Sequence, residues 1–159
     1  MTKILIFGNS SSGKSTLAKK MSAEQGLSHL DLDEIAWNEE TPPCRKPLSE
    51  SKTFIDGFIM RHPSWVIEGC YSDLLKLVLE HADQVIFMDL PISSCIDNAR
   101  RRPWEPHKYA SKQEQDENLD MLIEWIRNYE TRDDVFSRGA HEYLFDQFSG
   151  DKMRFVSND

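Results

Sequence analysis

The chain has too few basic residues to suggest a polyanionic partner. It carries 19 lysine and arginine residues against 27 aspartate and glutamate residues, which gives a formal net charge of -8. A protein that grips a nucleic-acid duplex needs a basic face that displaces the counterions condensed on the phosphates. We therefore do not expect direct nucleic-acid binding.

Long apolar runs and paired cysteines are also missing. No segment approaches the roughly 20 apolar residues that span a bilayer, and the first residues lack the apolar region of a signal peptide. The three cysteines, Cys44, Cys70 and Cys95, are an odd number at wide spacings, which favours reduced thiols over disulfides or a zinc site. These absences predict a cytoplasmic protein without membrane contact, and they indicate no particular oligomeric state.

The length and composition suit one globular unit. The chain has 159 residues, of which 39% are hydrophobic and 29% charged, and it contains no linker or repeat. A chain of this size can bury a substantial core but is too short for two ordinary domains. We expect a single domain over residues 1–159 with one active cleft.

Short apolar segments alternate with helical patterns along the whole chain. Strands are predicted at residues 3–7, 27–31, 65–69, 84–89 and 153–156. Helices are predicted after residue 13, from about residue 49, and over residues 72–82, 93–102, 111–129 and 134–148. A continuous apolar strand such as residues 3–7 is typical of a parallel sheet that is covered on both faces. The alternation therefore predicts an α/β fold with a parallel sheet between two layers of helices.

The turn after the first strand contains the most informative motif. Glycines at this place let backbone N–H groups wrap a phosphate chain at the start of a helix. The pattern G-x-x-x-x-G-K-[ST] of a P-loop is present. Lys14 would reach the terminal phosphates, and the Ser15 hydroxyl would ligate Mg²⁺. We predict a site for ATP with Mg²⁺ formed by Gly8, Asn9, Ser10, Ser11, Ser12, Gly13, Lys14, Ser15 and Thr16.

The order of motifs resembles the small P-loop kinases of the adenylate kinase and shikimate kinase type. The resemblance covers nearly the whole chain and rests on GNSSSGKS at 8–15, HLDLDEIAW at 29–37, WVIEGCYS at 65–72 and VIFMDLP at 85–91. More closely, the chain resembles small adenylate kinase-like proteins labelled DNA topology modulation proteins. The resemblance implies a three-layer P-loop NTPase sandwich with five parallel strands in the order 2-3-1-4-5. It also implies a substrate-binding segment at about residues 33–62 and a lid at about residues 100–113.

Carboxylates at strand ends are the candidates for contact with metal and acceptor. Asp31 and Asp33 are two residues apart, so in extended chain both face one side, near the phosphate loop. The resemblance implies that Asp33 orients or deprotonates the acceptor hydroxyl and that Asp31 and Glu68 join Ser15 around Mg²⁺. Glu68 departs from the aspartate that most relatives carry there. Asp89 is interpreted as structural, and solvated strand caps are the alternative for the two aspartates.

A basic run and several aromatic residues fall in the segments that would enclose an acceptor. Arg100, Arg101 and Arg102 lie where the lid would begin, and positive charge there would stabilise a transferring phosphoryl group. The alternative is a solvated helix end. The predicted catalytic set is Lys14, Asp33, Arg100 and Arg101, with Arg127 and Arg132 as further candidates.

The four tryptophans are predicted to lie in two different environments, the core and the cleft. Trp65 and Trp125 are interpreted as core residues, and Trp37 and Trp104 as candidates for substrate contact. Tyr71 either packs at a helix entry or lines the acceptor side.

Together these features predict an ATP-dependent kinase that moves the γ-phosphoryl group of ATP to a small acceptor. The acceptor is either a nucleoside monophosphate or a hydroxylated metabolite. An acceptor phosphate would need arginines between residues 33 and 72, and only Arg45 and Arg61 lie there. The alternative from another class is a P-loop nucleotide-binding regulator or slow ATPase that acts through a partner.

Overall fold

A single parallel sheet organises the protein. The computed structural model describes all residues from Met1 to Asp159. The five strands lie in the order β2-β3-β1-β4-β5, and every neighbouring pair is parallel. They are β1 (Lys3–Gly8), β2 (Ser28–Asp31), β3 (Trp65–Gly69), β4 (Gln84–Met88) and β5 (Asp151–Phe155). The predicted α/β class, the parallel sheet and the strand order are confirmed.

Helices occupy most of the connections between strands. They are α1 (Lys14–Gln25), α2 (Asp33–Ala36), α3 (Leu48–Arg61), α4 (Ser72–Leu79), α5 (Ile92–Arg101), α6 (Lys112–Glu117), α7 (Leu119–Arg127) and α8 (Arg138–Gln147), with a 3₁₀ helix at Asn128–Glu130. None of these helices combines the length and the apolar character that crossing a bilayer requires.

The central strands are apolar throughout because helices cover both faces of the sheet. In β1, Leu5 and Phe7 belong to a core of 18 buried residues that includes side chains of α3, α4 and α8. Ile4 and Ile6 belong to a second core of 11 buried residues with side chains of α1, α5 and α7. Each fully buried aliphatic or aromatic side chain contributes roughly 1.5–3 kcal/mol. The strand is therefore fixed from both sides.

The helix expected over residues 111–129 is divided in two. Its start is confirmed, because the Ser111 hydroxyl accepts a hydrogen bond from the Glu114 N–H group at 3.1 Å. The division falls at Asn118, whose side-chain amide donates to the Tyr109 hydroxyl at 2.9 Å. The helix expected over residues 72–82 is also shorter, because it ends at Leu79 in turn-type bonds such as that from the His81 N–H group to the Val78 carbonyl.

A buried histidine ties α8 to the 3₁₀ helix and to the end of β3. His141 is fully buried, with Nδ1 2.7 Å from the Tyr129 hydroxyl and Nε2 2.8 Å from the Cys70 carbonyl oxygen. A carbonyl oxygen can only accept, so Nε2 carries the proton and Nδ1 accepts from Tyr129. Burial lowers the pKa of His141 to about 4, because the charged ring would lose its hydration. The ring is therefore neutral in the folded protein.

Mild acid should destabilise the protein through His141. The pKa of the ring falls from 6.5 to about 4 on folding, so the unfolded chain takes up the proton first as the pH is lowered. The contribution to stability is complete above pH 6.5 and is lost as the pH falls toward 4. We expect a loss of roughly 2 kcal/mol in the free energy of unfolding between pH 7 and pH 5, measured by urea denaturation.

The matched control is His141→Gln. Its amide can donate to the Cys70 carbonyl and accept from Tyr129 but does not titrate. Over the same pH interval the variant should lose about 2 kcal/mol less than the wild type. Identical pH dependence in the two proteins would show that His141 does not carry the effect.

Candidate active site

The P-loop leaves β1 at the carboxyl edge of the sheet and enters α1. Two of its positions require glycine. A Cβ atom on Gly8 would lie 2.5 Å from the Met88 carbonyl oxygen, and Gly13 has a φ of 93°, which residues with a side chain rarely adopt. The loop thus brings backbone to the start of α1, where the first N–H groups of a helix have no intrahelical partner.

Distant parts of the chain hold the loop in shape. Ser11 has a φ of 60°, a conformation that costs a non-glycine residue about 1–2 kcal/mol. Asn98 Nδ2 donates to the Ser11 carbonyl oxygen at 2.9 Å, and the Arg102 guanidinium donates to the Ser11 hydroxyl at 2.6 Å. Asn158 Nδ2 donates to the Ser12 carbonyl oxygen at 3.0 Å. The loop is therefore clamped from α5 and from the segment after β5.

A cleft of about 930 Å³ opens in front of the loop. The predicted nucleotide-binding residues that line it are Ser10, Ser11, Gly13, Lys14, Ser15 and Thr16. The other three, Gly8, Asn9 and Ser12, do not line the cleft and shape the loop from behind. Asn9, for example, is 3% exposed, accepts from the Ser10 N–H group at 2.8 Å and donates to the Ile126 carbonyl at 3.3 Å.

Lys14 is the charged group of the loop. Its side chain is almost buried, and Nζ donates to the Asn9 carbonyl oxygen at 2.6 Å. An ammonium group has three N–H donors. Two of them are left for phosphate oxygens in the cleft that Lys14 lines.

Glu68 connects the start of α1 to β2. Its Oε1 accepts from the Ser15 hydroxyl at 3.0 Å, and its Oε2 lies 2.8 Å from His29 Nε2. The hydrogen bond to Glu68 raises the pKa of His29, although burial opposes the rise. In the parallel register Asp31 lies opposite Glu68, and His29 shares the strand face of Asp31 because it lies two residues earlier. Both oxygens of Glu68 are therefore oriented by neighbouring side chains.

Ser15, Glu68 and Asp31 form an oxygen-rich corner of the cleft. Burial, with the negative charges of Glu68 and Asp33, raises the pKa of Asp31 to about 6. No cluster of three or more His, Cys, Asp and Glu side chains is placed to hold a metal ion. Mg²⁺, however, prefers oxygen ligands and is usually bound by one or two carboxylates together with substrate phosphates. The three residues fit a magnesium ion whose remaining ligands come from a nucleotide and water.

Asp33 lines the same cleft as the loop and is the first residue of α2. Its Oδ1 accepts a hydrogen bond from the Tyr71 hydroxyl, and its Oδ2 lies 3.5 Å from Lys108 Nζ. Trp37 Nε1 in turn donates to the Tyr71 hydroxyl at 2.8 Å. Burial raises the pKa of Tyr71, so the hydroxyl keeps the proton that it donates to Asp33. The carboxylate is thus held in one orientation by a chain of side chains.

The loop after α5 bounds the cleft and supplies further cations, in addition to Lys14 and Lys19 of α1. Arg102 and Lys108 line the cleft, and Arg102 also lies 3.1 Å from a Glu105 carboxylate oxygen. Arg100 and Arg101 are exposed on the last turn of α5 and do not line it. A catalytic role for these two residues remains a prediction, and Arg102 is the arginine of the run that contacts the P-loop.

The environments of Asp89 and Trp125 test two further predictions. Asp89 does not line the cleft and is held by the Arg138 guanidinium at 2.8 and 2.9 Å and by Arg154 at 2.7 Å, in keeping with a structural role. Trp125 was expected in the core but is 36% exposed and lines the cleft, as Trp37 and Trp104 do. The core side of α7 is formed instead by residues such as Ile126.

Replacing Glu68 with glutamine tests the magnesium site. The amide keeps the size of the side chain but removes the charge beside Ser15. We expect the Mg²⁺ concentration that supports ATP binding to rise by about tenfold or more, with a smaller change in ATP affinity at saturating Mg²⁺. Calorimetric titration at several Mg²⁺ concentrations measures both, and the exposed Glu34→Gln is the control. An unchanged Mg²⁺ dependence would assign the metal to Asp31.

Comparisons with known proteins find distant structural matches. No protein-family model and no curated protein matches the chain. A shikimate kinase from Bacteroides thetaiotaomicron is 15% identical, with a TM-score of 0.49 over 91% of this chain and 97% of that one. An unliganded sugar kinase from Janibacter sp. is also 15% identical, with a TM-score of 0.49 over 80% of this chain and 95% of that one. At this level of similarity no activity is transferred from either protein to the chain.

Proposed function

We propose that the protein is an ATP-dependent phosphotransferase that moves the γ-phosphoryl group of ATP to a hydroxyl group of a small acceptor. One observation carries the proposal: a single cleft is lined both by the P-loop and by an oriented carboxylate, Asp33. Phosphoryl transfer depends on positioning the attacking oxygen in line with the transferred group. A cleft that combines a phosphate cradle with an acceptor-facing carboxylate suits this requirement.

The P-loop side would bind the nucleotide. Lys14 and the N–H groups at the start of α1 would donate to the phosphate oxygens. Ser15 would hold Mg²⁺ directly, with Glu68 and Asp31 supporting it. When it is bound, Mg²⁺ neutralises part of the charge on the phosphates.

Asp33 would act on the acceptor. A carboxylate beside the acceptor hydroxyl accepts its hydrogen bond, which directs the oxygen lone pair toward the phosphoryl group, and it can take the proton as the bond forms. Tyr71 occupies one oxygen of Asp33, and Lys108 lies near the other. The position of Asp33 is therefore set before an acceptor arrives, which reduces the entropy lost in reaching a reactive geometry.

Arg102 and Lys108 would provide positive charge for the transition state. Arg102 already reaches the P-loop through the Ser11 hydroxyl at 2.6 Å. A guanidinium at this place can move its hydrogen bonds from Ser11 to the oxygens of a transferring phosphoryl group. Arg102 thereby replaces Arg100 and Arg101 as our candidate for the lid cation.

Of the two classes of acceptor, the site favours the hydroxylated metabolite. Arg45 and Arg61 are the arginines that could hold the phosphate of a nucleoside monophosphate, and neither lines the cleft. Arg45 is engaged by Asp73, with Nη2 3.0 and 3.1 Å from the two carboxylate oxygens.

Replacing Lys14 with methionine should lower phosphoryl transfer by roughly 10²–10³-fold. The change removes the charge directed at the β- and γ-phosphates and keeps an unbranched side chain. ADP release can be followed by a coupled assay over a panel of nucleoside monophosphates, nucleosides, sugars and small hydroxy acids. Lys20→Met, an exposed lysine of the same helix that does not line the cleft, is the control. Equal turnover in Lys14→Met and wild type would refute the nucleotide site.

Replacing Asp33 with asparagine separates a kinase from a nucleotide-binding regulator. For a kinase, transfer should fall by roughly 10²–10⁴-fold because the general base is lost, while ATP affinity stays nearly constant. Turnover beside ATP calorimetry measures the two quantities, with the exposed Asp97→Asn as control. A parallel loss of both, or a loss of neither, would reject the role of Asp33.

A further inference from the structure

We infer that the acceptor is a neutral or cationic alcohol that carries a flat, largely apolar ring. The inference rests on the proposed phosphotransferase activity and names the class of its substrate. It comes from four aromatic side chains, here named the acceptor wall, that line the same cleft as the P-loop. They are Trp37, Tyr71, Trp125 and Phe136.

The rings of the acceptor wall form a continuous chain of edge-to-face contacts. The ring centroids are 6.4 Å apart from Trp37 to Tyr71, 5.2 Å from Tyr71 to Phe136, and 5.2 Å from Phe136 to Trp125, with interplanar angles of 67–70°. The tryptophans at the two ends keep 39% and 36% of their surface exposed. Aromatic surface left open inside a cleft is suited to stacking against a planar apolar group.

Two arginines pack against the rings of the acceptor wall and are already paired with carboxylates. Arg132 Cζ lies 3.6 Å from the centre of the Trp125 ring, and Arg45 Cζ lies 4.8 Å from the centre of the Tyr71 ring. Both are already paired, Arg132 with Asp134 at 2.7 Å and Arg45 with Asp73 at 3.0 Å. Neither arginine lines the cleft. Their charges therefore hold aromatic rings in place instead of recognising an acceptor anion.

The cations that the loop after α5 contributes to the cleft are also paired. Arg102 and His107 lie 3.1 and 3.5 Å from Glu105, and Lys108 lies 3.5 Å from Asp33 and 3.7 Å from Glu105. An acceptor phosphate or carboxylate at this loop would have to displace these carboxylates, and recognition of such groups ordinarily uses free arginines in bidentate pairs. The part of the cleft bounded by this loop therefore disfavours an anionic acceptor and is compatible with a positive one, and Lys19 of α1 is a further cation that lines the cleft.

Matched pairs of probes test whether the acceptor carries a flat ring and whether it lacks an anionic group. Adenosine, guanosine, cytidine, thymidine and thiamine are ring-bearing alcohols, and each is compared with its own monophosphate, which differs only in the added anion. Glucose and glycerol are alcohols without a flat ring, and shikimate is an anionic alcohol. Two readouts are used: ADP release with ATP and Mg²⁺, and quenching of tryptophan fluorescence, to which the buried Trp65 contributes a constant background.

We expect at least one ring-bearing alcohol to release ADP about tenfold faster than its own monophosphate and than the alcohols without a ring, and to quench the fluorescence. Faster transfer to a monophosphate, to shikimate or to glucose would overturn the inference. Binding of ATP with no quenching by any ring-bearing alcohol at millimolar concentration would also overturn it. Failure of the wild-type protein to bind ATP would refute the proposed phosphotransferase itself, and calorimetry distinguishes this outcome from the others.

Variants of the wall complete the test. Trp125→Leu should weaken binding of the ring-bearing alcohol by about tenfold and leave ATP affinity nearly unchanged, because the Trp125 ring packs against Phe136 and Arg132. Trp37→Leu provides a second variant, and circular dichroism confirms that both fold. Tyr143→Leu, an exposed aromatic residue that does not line the cleft, is the control. Unchanged affinity for the ring-bearing alcohol in both tryptophan variants would overturn the inference.

Discussion

The burial of β1 on both faces is the constraint on which the site depends. Its side chains alternate between the two cores, so the strand can neither tilt nor slide without exposing apolar surface to water. The loop begins where this strand ends, and the strand's neighbours β3 and β4 end beside it. A rigid strand therefore places the glycine-containing turn at a fixed position. The same edge of the sheet carries Glu68 and Asp31, so sheet geometry brings the groups proposed for phosphate and metal close together.

The proposed acceptor side is built differently, from side chains of five separate segments. Asp33 begins α2 and Trp37 follows it, Tyr71 follows β3, Lys108 comes from the loop after α5, Trp125 belongs to α7, and Phe136 precedes α8. Hydrogen bonds and ring contacts, more than backbone pairing, hold these side chains in their relative positions. The proposed nucleotide side is thus a property of the fold, whereas the proposed acceptor side is particular to these side chains.

This difference explains how far the sequence could predict the structure. Strand positions, the parallel sheet and the loop follow from local patterns, since a run such as residues 3–7 suits only a strand that is covered on both faces. The pairing of His29 with Glu68 could have been predicted, because His29 lies two residues before Asp31 on the same face of β2. The roles of Asn98 and Lys108 and the position of Trp125 in the cleft could not be predicted, because they depend on contacts with residues far away in the chain. The sequence could not distinguish Arg102 from Arg100 and Arg101 as the arginine that contacts the P-loop. Which of three adjacent residues at a helix end faces the loop depends on the direction that the chain takes after the helix.

The clamps on the P-loop have a consequence for how the protein folds. The motif itself is local, but the bonds that fix Ser11 and Ser12 reach 87, 91 and 146 residues along the chain, to Asn98, Arg102 and Asn158. Contacts of such long sequence separation form only after large loops have closed, which makes them slow. During synthesis these clamps cannot close until α5 and the segment after β5 are in place. The most recognisable part of the sequence is therefore among the last parts of the molecule to reach its final conformation.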